Sequence, residues 1–303
     1  MQALWRRFEG PTWALAGLIY GGWGLLTWCY DLVPWWLVLP TGAWLIAWQM
    51  SLQHELIHGH PTRNRRVNAA LGFLPLSLWL PFACYRESHL AHHAGHGEGD
   101  GLTDPRDDPE SFYLTEAQWD RMGPVRRMLI RANNTLMGRV TIGPAISMAG
   151  FIAAEAGYLA RGERGRRSVW VLHGVGAAAV LIWTWKICGI APWVYGVLFV
   201  YPGMSLALIR SFAEHRAEAE VGHRTAIVEN APVLGLLFLH NNLHVVHHSR
   251  PGLPWYDIPA AYRRDRDRFI TDNDNLVYRG YADVARRHLL TAHHQPVHPR
   301  AAK

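Results

Sequence analysis

His244-Val245-Val246-His247-His248 repeats the HxxHH spacing of His89-Leu90-Ala91-His92-His93, and His54-Glu55-Leu56-Ile57-His58 adds an HxxxH pair. Eight imidazoles in three clusters are hard to explain by packing. On a helix, residues i, i+3 and i+4 share a face, so each cluster can aim two or three ring nitrogens at one point. Imidazole suits iron, copper, zinc and nickel. The pattern reads as a metal site, and the number of ligands as more than one ion.

The apolar runs around the clusters set the architecture. Thr12 to Cys29 is long enough to cross a bilayer; Tyr30-Asp31-Leu32-Val33-Pro34 breaks it, and Trp35 to Met50 is apolar again. Arg6 and Arg7 precede this hairpin, and Arg63, Arg65 and Arg66 follow it, so both ends are predicted cytoplasmic. A second hairpin runs over Val169 to Ile187 and Ile190 to Ile209, joined by Cys188-Gly189. Arg161, Arg164, Arg166 and Arg167 lie before it and Arg210 and Arg216 after it, with Lys186 the one opposing charge. Val67–Tyr85 and Val140–Ala160 are also apolar. If the clusters build one site they share one membrane face, and then neither of these segments crosses. Four spanning helices are therefore predicted, with interfacial or re-entrant helices beside them. All three clusters then fall at the membrane–cytoplasm boundary.

Composition agrees with this placement. Half of the 303 residues are hydrophobic, and the 15 Trp suit a headgroup-level belt. The net charge of +6 fits an anionic lipid surface or an acidic protein partner. Nucleic acid is disfavoured, because no basic helix carries interleaved polar readers. Cys29, Cys84 and Cys188 form no CxxC pair, which argues against a disulfide framework, a zinc knuckle or an iron–sulfur motif. The first apolar run leads straight into a second, so no cleavable signal peptide is expected. Residues 97–139, with Asp104-Pro105-Arg106-Asp107-Asp108-Pro109-Glu110, and residues 249–303 read as cytoplasmic excursions. The tail from His293 onward reads as frayed, and His223, His288, His293, His294 and His298 as surface residues.

His215 lies six residues past the last apolar run, within Glu214-His215-Arg216, at the depth of the clusters. On spacing alone it reads equally as a ligand or as an interfacial histidine. As a ninth ligand it allows a division into four and five around two ions, with positions left open for dioxygen. His60, His96, His240 and His173 read first as structural, although His96 and His240 extend their clusters. Glu55, Glu87, Glu214, Asp104 and Asn241 are candidates to orient a ring N–H. His54-Glu55-Leu56-Ile57-His58 also matches the HExxH motif of zinc proteases, a rival that leaves both HxxHH clusters unexplained.

The three clusters resemble the histidine boxes of the membrane fatty acid desaturase and hydroxylase superfamily. His244-Val245-Val246-His247-His248 followed by Pro251, Pro254 and Trp255-Tyr256, and Asp108-Pro109-Glu110-Ser111 after the second cluster, are similar to bacterial acyl-lipid desaturase-like proteins. The resemblance covers roughly residues 10 to 265. It implies an all-α integral membrane protein: two transmembrane hairpins, interfacial helices, and a cytoplasmic helical cap holding a non-haem di-iron site. Residues 1–265 would form the desaturase-like domain and 266–303 a C-terminal cytoplasmic extension. The implied iron ligands are His54, His58, His89, His92, His93, His215, His244, His247 and His248. A relative's water-bridging Asn falls on Ser211 here, a departure from the pattern. The implied reaction oxidises an unactivated C–H bond of a lipid or acyl chain with dioxygen and two electrons. Desaturation is the first reading, with hydroxylation or ketolase-like chemistry as the alternative. Electrons would come from a separate donor, a ferredoxin or similar protein with its reductase, for which Arg126, Arg127, Arg263 and Arg264 offer a basic face. The implied location is the bacterial inner membrane, with both termini and the metal site cytoplasmic.

Overall fold

The computed structural model describes residues 2–97 and 101–299. The chain is mostly helical, and its contacts divide it into two compact units: residues 1–86 with 144–207, and residues 87–143 with 208–303.

In the first unit, helix Gly10–Trp28 and helix Trp35–Ile57 are joined by a single 3-10 turn at Tyr30–Leu32, where Pro34 prevents continuous helix. Small residues let the helices approach. A Cβ built on Gly42 would lie 2.6 Å from the Phe199 ring, and one on Gly203 would lie 2.5 Å from the Ile46 Cβ. Buried polar groups are paired across the unit. Trp23 Nε1 donates to the Tyr195 hydroxyl at 3.0 Å, and that hydroxyl donates to the Leu76 carbonyl at 2.7 Å. Glu155, buried on helix Gly143–Ala160, accepts from Trp170 Nε1 at 2.9 Å and stands 3.4 Å from Arg166. Gln49 and Gln53 donate to the carbonyls of Leu74 and Gly72, pinning the irregular stretch that follows helix Arg65–Gly72.

The four predicted spans are corrected to two. Among the described residues, Arg166–Ile187 and Pro192–Glu214 are the helices long and apolar enough to cross a membrane. Helices Gly10–Trp28 and Trp35–Ile57 have the length, at 19 and 23 residues, but not the hydropathy. The first is diluted by Trp13, Trp23, Trp28 and five glycines, and the second ends in Gln49, Ser51, Gln53, His54 and Glu55.

The second unit is built around two apolar clusters. One gathers Leu136, Phe212, Val228, Tyr278 and Val284; the other gathers Ile227, Val246, Ile258, Tyr262 and Phe269. A short parallel pair, β1 (Ile227–Val228) and β2 (Val277–Tyr278), lies between them in register Ile227 to Val277 and Val228 to Tyr278. The C-terminal segment is not frayed over its described part. The His293 N–H donates to the Asn134 carbonyl at 2.7 Å, the Leu114 N–H to Pro296 at 2.9 Å, and the His298 N–H to Leu114 at 3.0 Å. His293 and His298 are buried rather than on the surface, because Tyr278 and Thr103 hydroxyls meet their Nε2 atoms.

Candidate metal centre

Two elements of the second unit carry most of the imidazoles. Helix Phe82–Gly97 presents His89, His92 and His93 one turn apart, and helix His244–Ser249 presents His244, His247 and His248. His215 follows helix Tyr201–Glu214, at a bridge to Thr225. In the first unit, His54 and His58 end helix Trp35–Ile57, with ring centroids 4.9 Å apart.

The seven rings of the second unit fall into two groups. The donor atoms of His92, His215, His244 and His248 all lie within 4.8 Å of one another. His244 Nε2 is 3.0 Å from His215 Nε2 and 3.1 Å from His248 Nε2. His93 Nε2 is 3.1 Å from His89 Nε2 and 3.0 Å from His247 Nε2. The groups adjoin, since His93 stacks on His248 at 4.4 Å.

These distances test whether a metal fits. One proton can join one pair of nitrogens, but His244 and His93 each face two. A cation shared by the lone pairs satisfies all of them. With a metal–nitrogen bond of about 2.1 Å, donors at right angles stand about 3.0 Å apart and tetrahedral donors about 3.4 Å. These short separations are of the size that imidazole donors sharing one transition ion would take, and the all-imidazole donor set suits such an ion.

The outward nitrogens are oriented. His92 Nδ1 donates to both oxygens of Asp108, at 2.9 and 3.0 Å. His89 Nδ1 donates to Glu110 at 3.2 Å, and His215 Nδ1 to the Arg224 carbonyl at 3.2 Å. Glu214 stands 3.4 Å from His244 Nδ1 and 2.8 Å from Arg210. Each acceptor keeps the proton on Nδ1 and turns the Nε2 lone pair inward, which a metal requires. Burial, reinforced by neighbouring imidazoles, pushes the His244 and His248 pKa values well below the usual histidine range and favours the neutral, ligating form. Burial opposes the charged form of Glu110, but the charges and hydrogen bond of His89 and the charge of His92 outweigh it, and its pKa falls to about 2. Burial likewise disfavours charged His92, yet the Asp108 hydrogen bond and the Glu110 charge hold its pKa above the ordinary value.

Of the residues predicted to orient rings, Glu214 stands by a ligand candidate, whereas Asp104 is turned to Arg106 at 2.6 Å. Glu55 and Asn241 are buried, and Glu87 is exposed. Asp108 and Glu110 were missed as orienting groups, although both stand in the acidic stretch quoted from the sequence. Their rings lie 16 and 21 residues away, beyond helical periodicity. His240 stacks on Trp255 at 5.9 Å, His60 pairs with Glu9 at 2.8 Å, and His173 meets the Leu78 carbonyl at 2.9 Å. The His96 side chain lies outside the described residues. Ser211 donates to its own helix, at the Leu208 carbonyl.

Fold and site together define a helical protein with a histidine-rich metal-binding centre and two helices suited to a membrane. The family model described as "Fatty acid desaturase" matches residues 30–281, and the chain belongs to that family. A search of curated proteins found no match.

Proposed function

We propose that this protein is an oxygen-dependent di-iron oxidoreductase that desaturates lipid acyl chains. The observation that carries this reading is the pair of adjoining imidazole groups, each with Nε2 atoms converging near 3.0 Å and with Nδ1 atoms held from outside. In the proposed site, His92, His215, His244 and His248 hold one iron. His89, His93 and His247 would hold the other. The family, whose model is described as a fatty acid desaturase, supports iron over zinc for this all-imidazole donor set.

When bound by these imidazoles, iron would supply the oxidising power that breaking an unactivated C–H bond with dioxygen and two electrons requires. The reaction balances as a –CH2–CH2– unit, dioxygen, two electrons and two protons giving –CH=CH– and two molecules of water. The chain's own part is orientation. Asp108, Glu110 and the Arg224 carbonyl fix ring tautomers and directions, and burial favours the neutral form of His244 and His248. The electrons come from a separate donor of the ferredoxin kind with its reductase. The protein lies in the bacterial inner membrane with the metal site and both termini in the cytoplasm, so that the apolar helices shelter the acyl chain.

Purified protein is expected to carry about two irons per chain, and His215→Ala to lose about one of them. A host expressing the protein is expected to gain double bonds in its acyl lipids. Added oxygen in those lipids instead would make the enzyme a hydroxylase with the same ligand set. Stoichiometric zinc together with peptide hydrolysis would overturn the reading in favour of an HExxH protease.

A further inference from the structure

Arg224 is fully buried in the second unit. Burying a guanidinium is costly unless its donors are met. Three carbonyls meet them: Nη1 donates to Leu102 at 2.5 Å, Nε to Glu218 at 2.7 Å, and Nη2 to Ala219 at 3.1 Å. The same residue's own carbonyl accepts from the Arg216 N–H at 3.0 Å and from His215 Nδ1 at 3.2 Å.

Arg224 thus acts in two directions. Its main chain sets the direction of the His215 ring. Its side chain staples Leu102, and Leu102 precedes Thr103, whose N–H donates to Asp108 Oδ2 at 2.9 Å. Asp108 in turn takes the Nδ1 proton of His92. Both imidazoles belong to the same group of four, with ring centroids 4.9 Å apart. The His298 side chain braces this loop from the far side, with Nε2 3.1 Å from Thr103 Oγ1.

We infer that Arg224 is a positioning residue for the four-histidine ion site, holding His215 through its carbonyl and His92 through Leu102, Thr103 and Asp108. The inference rests on the reading of that group as an ion site. A planar fork is required, because one cation must reach three carbonyls in fixed directions. Lysine keeps the charge but is a point donor on a flexible stem.

The test uses the full-length protein in detergent or nanodiscs, loaded with ferrous iron, in three variants: Arg224→Met, Arg224→Lys and Arg139→Met. Arg139 is the control, a buried arginine whose Nε donates to the Asn133 carbonyl and whose guanidinium lies 3.9 Å over Phe112. Iron content, chelator competition and the Mössbauer spectrum are read, with thermal stability alongside. Both Arg224 variants are expected to weaken one of the two irons about 10- to 100-fold and to change the spectrum of that iron alone. Arg139→Met is expected to lose stability while both iron signals persist. If Arg224→Met does not fold, Arg224→Lys carries the test. Wild-type iron affinity and spectrum in Arg224→Lys overturn the inference, as does equal weakening of both irons matching that in Arg139→Met. Wild-type protein that takes up no iron overturns the metal reading itself, and the inference with it.

Discussion

His92 Nδ1 reaches both oxygens of Asp108, while the backbone N–H groups of Thr103 and Glu110 donate to the same carboxylate at 2.9 and 2.8 Å. A carboxylate held by three donors cannot swing away, so it fixes the imidazole as well as accepting from it. Asp108→Asn retains a single carbonyl acceptor and loses the charge. If the four-histidine group holds iron as proposed, the change is expected to weaken that iron by about 10- to 100-fold, the usual cost of losing such a partner. Chelator competition measures this, and unchanged affinity would show that Asp108 serves the loop and not the ring. The histidines themselves were legible in the sequence, because i, i+3, i+4 spacing is a property of one helix. Asp108 and Glu110 were not legible as their partners. They reach His92 and His89 only because the turn at residues 101–110 folds back, with the Asp104 and Asp108 N–H groups bonded to Gly101 and Asp104 carbonyls.

At the scale of elements, the apolar runs found long helices but not all of their ends: the run read as Trp35 to Met50 belongs to helix Trp35–Ile57, and Val67–Tyr85 is divided between helices Arg65–Gly72 and Phe82–Gly97. The second hairpin, read as 169–187 and 190–209, is Arg166–Ile187 and Pro192–Glu214, turning at Gly189 with φ of 72° and restarting at Pro192. Packing between helices was less legible, since a glycine in an apolar run looks the same whether it faces lipid or a neighbour. Gly203 and Gly17 separate the two cases. A Cβ on Gly203 meets the Ile46 Cβ and, at 3.1 Å, the Ala43 carbonyl, whereas a Cβ on Gly17 meets nothing within 4 Å. Gly203→Val is therefore expected to cost about 1–3 kcal/mol through overpacking against a backbone that cannot yield. Gly17→Val is expected to leave the thermal midpoint of the solubilised protein near that of the wild type. Equal shifts in the two variants would contradict this packing.

Across the whole molecule, stability also depends on pH through carboxylates held by local partners. Asp104 is one. Hydrogen bonds and charge from Arg106 hold its carboxyl at about 2, below the ordinary 3.8. A depressed folded-state pKa lends stability that is complete above the unfolded value and lost as pH falls through the folded one. The advantage of wild type over Asp104→Asn in thermal unfolding is accordingly expected to be full above about pH 5 and to fade as pH falls through about 2. An advantage independent of pH would remove the ion pair as its cause. The sequence by itself determined that the chain is helical, rich in apolar runs and equipped with imidazole clusters able to bind metal, because each of these is written in local composition and helical period. Only the tertiary structure decided which imidazoles of the second unit share a group, which carboxylates turn them, and that His293 and His298 are buried tail anchors. Those outcomes depend on contacts between residues far apart in the chain, which no local pattern encodes; the reduction from four spans to two, by contrast, lies in composition, since Trp, Gly and the polar end of Trp35–Ile57 lower the hydropathy of the first two helices.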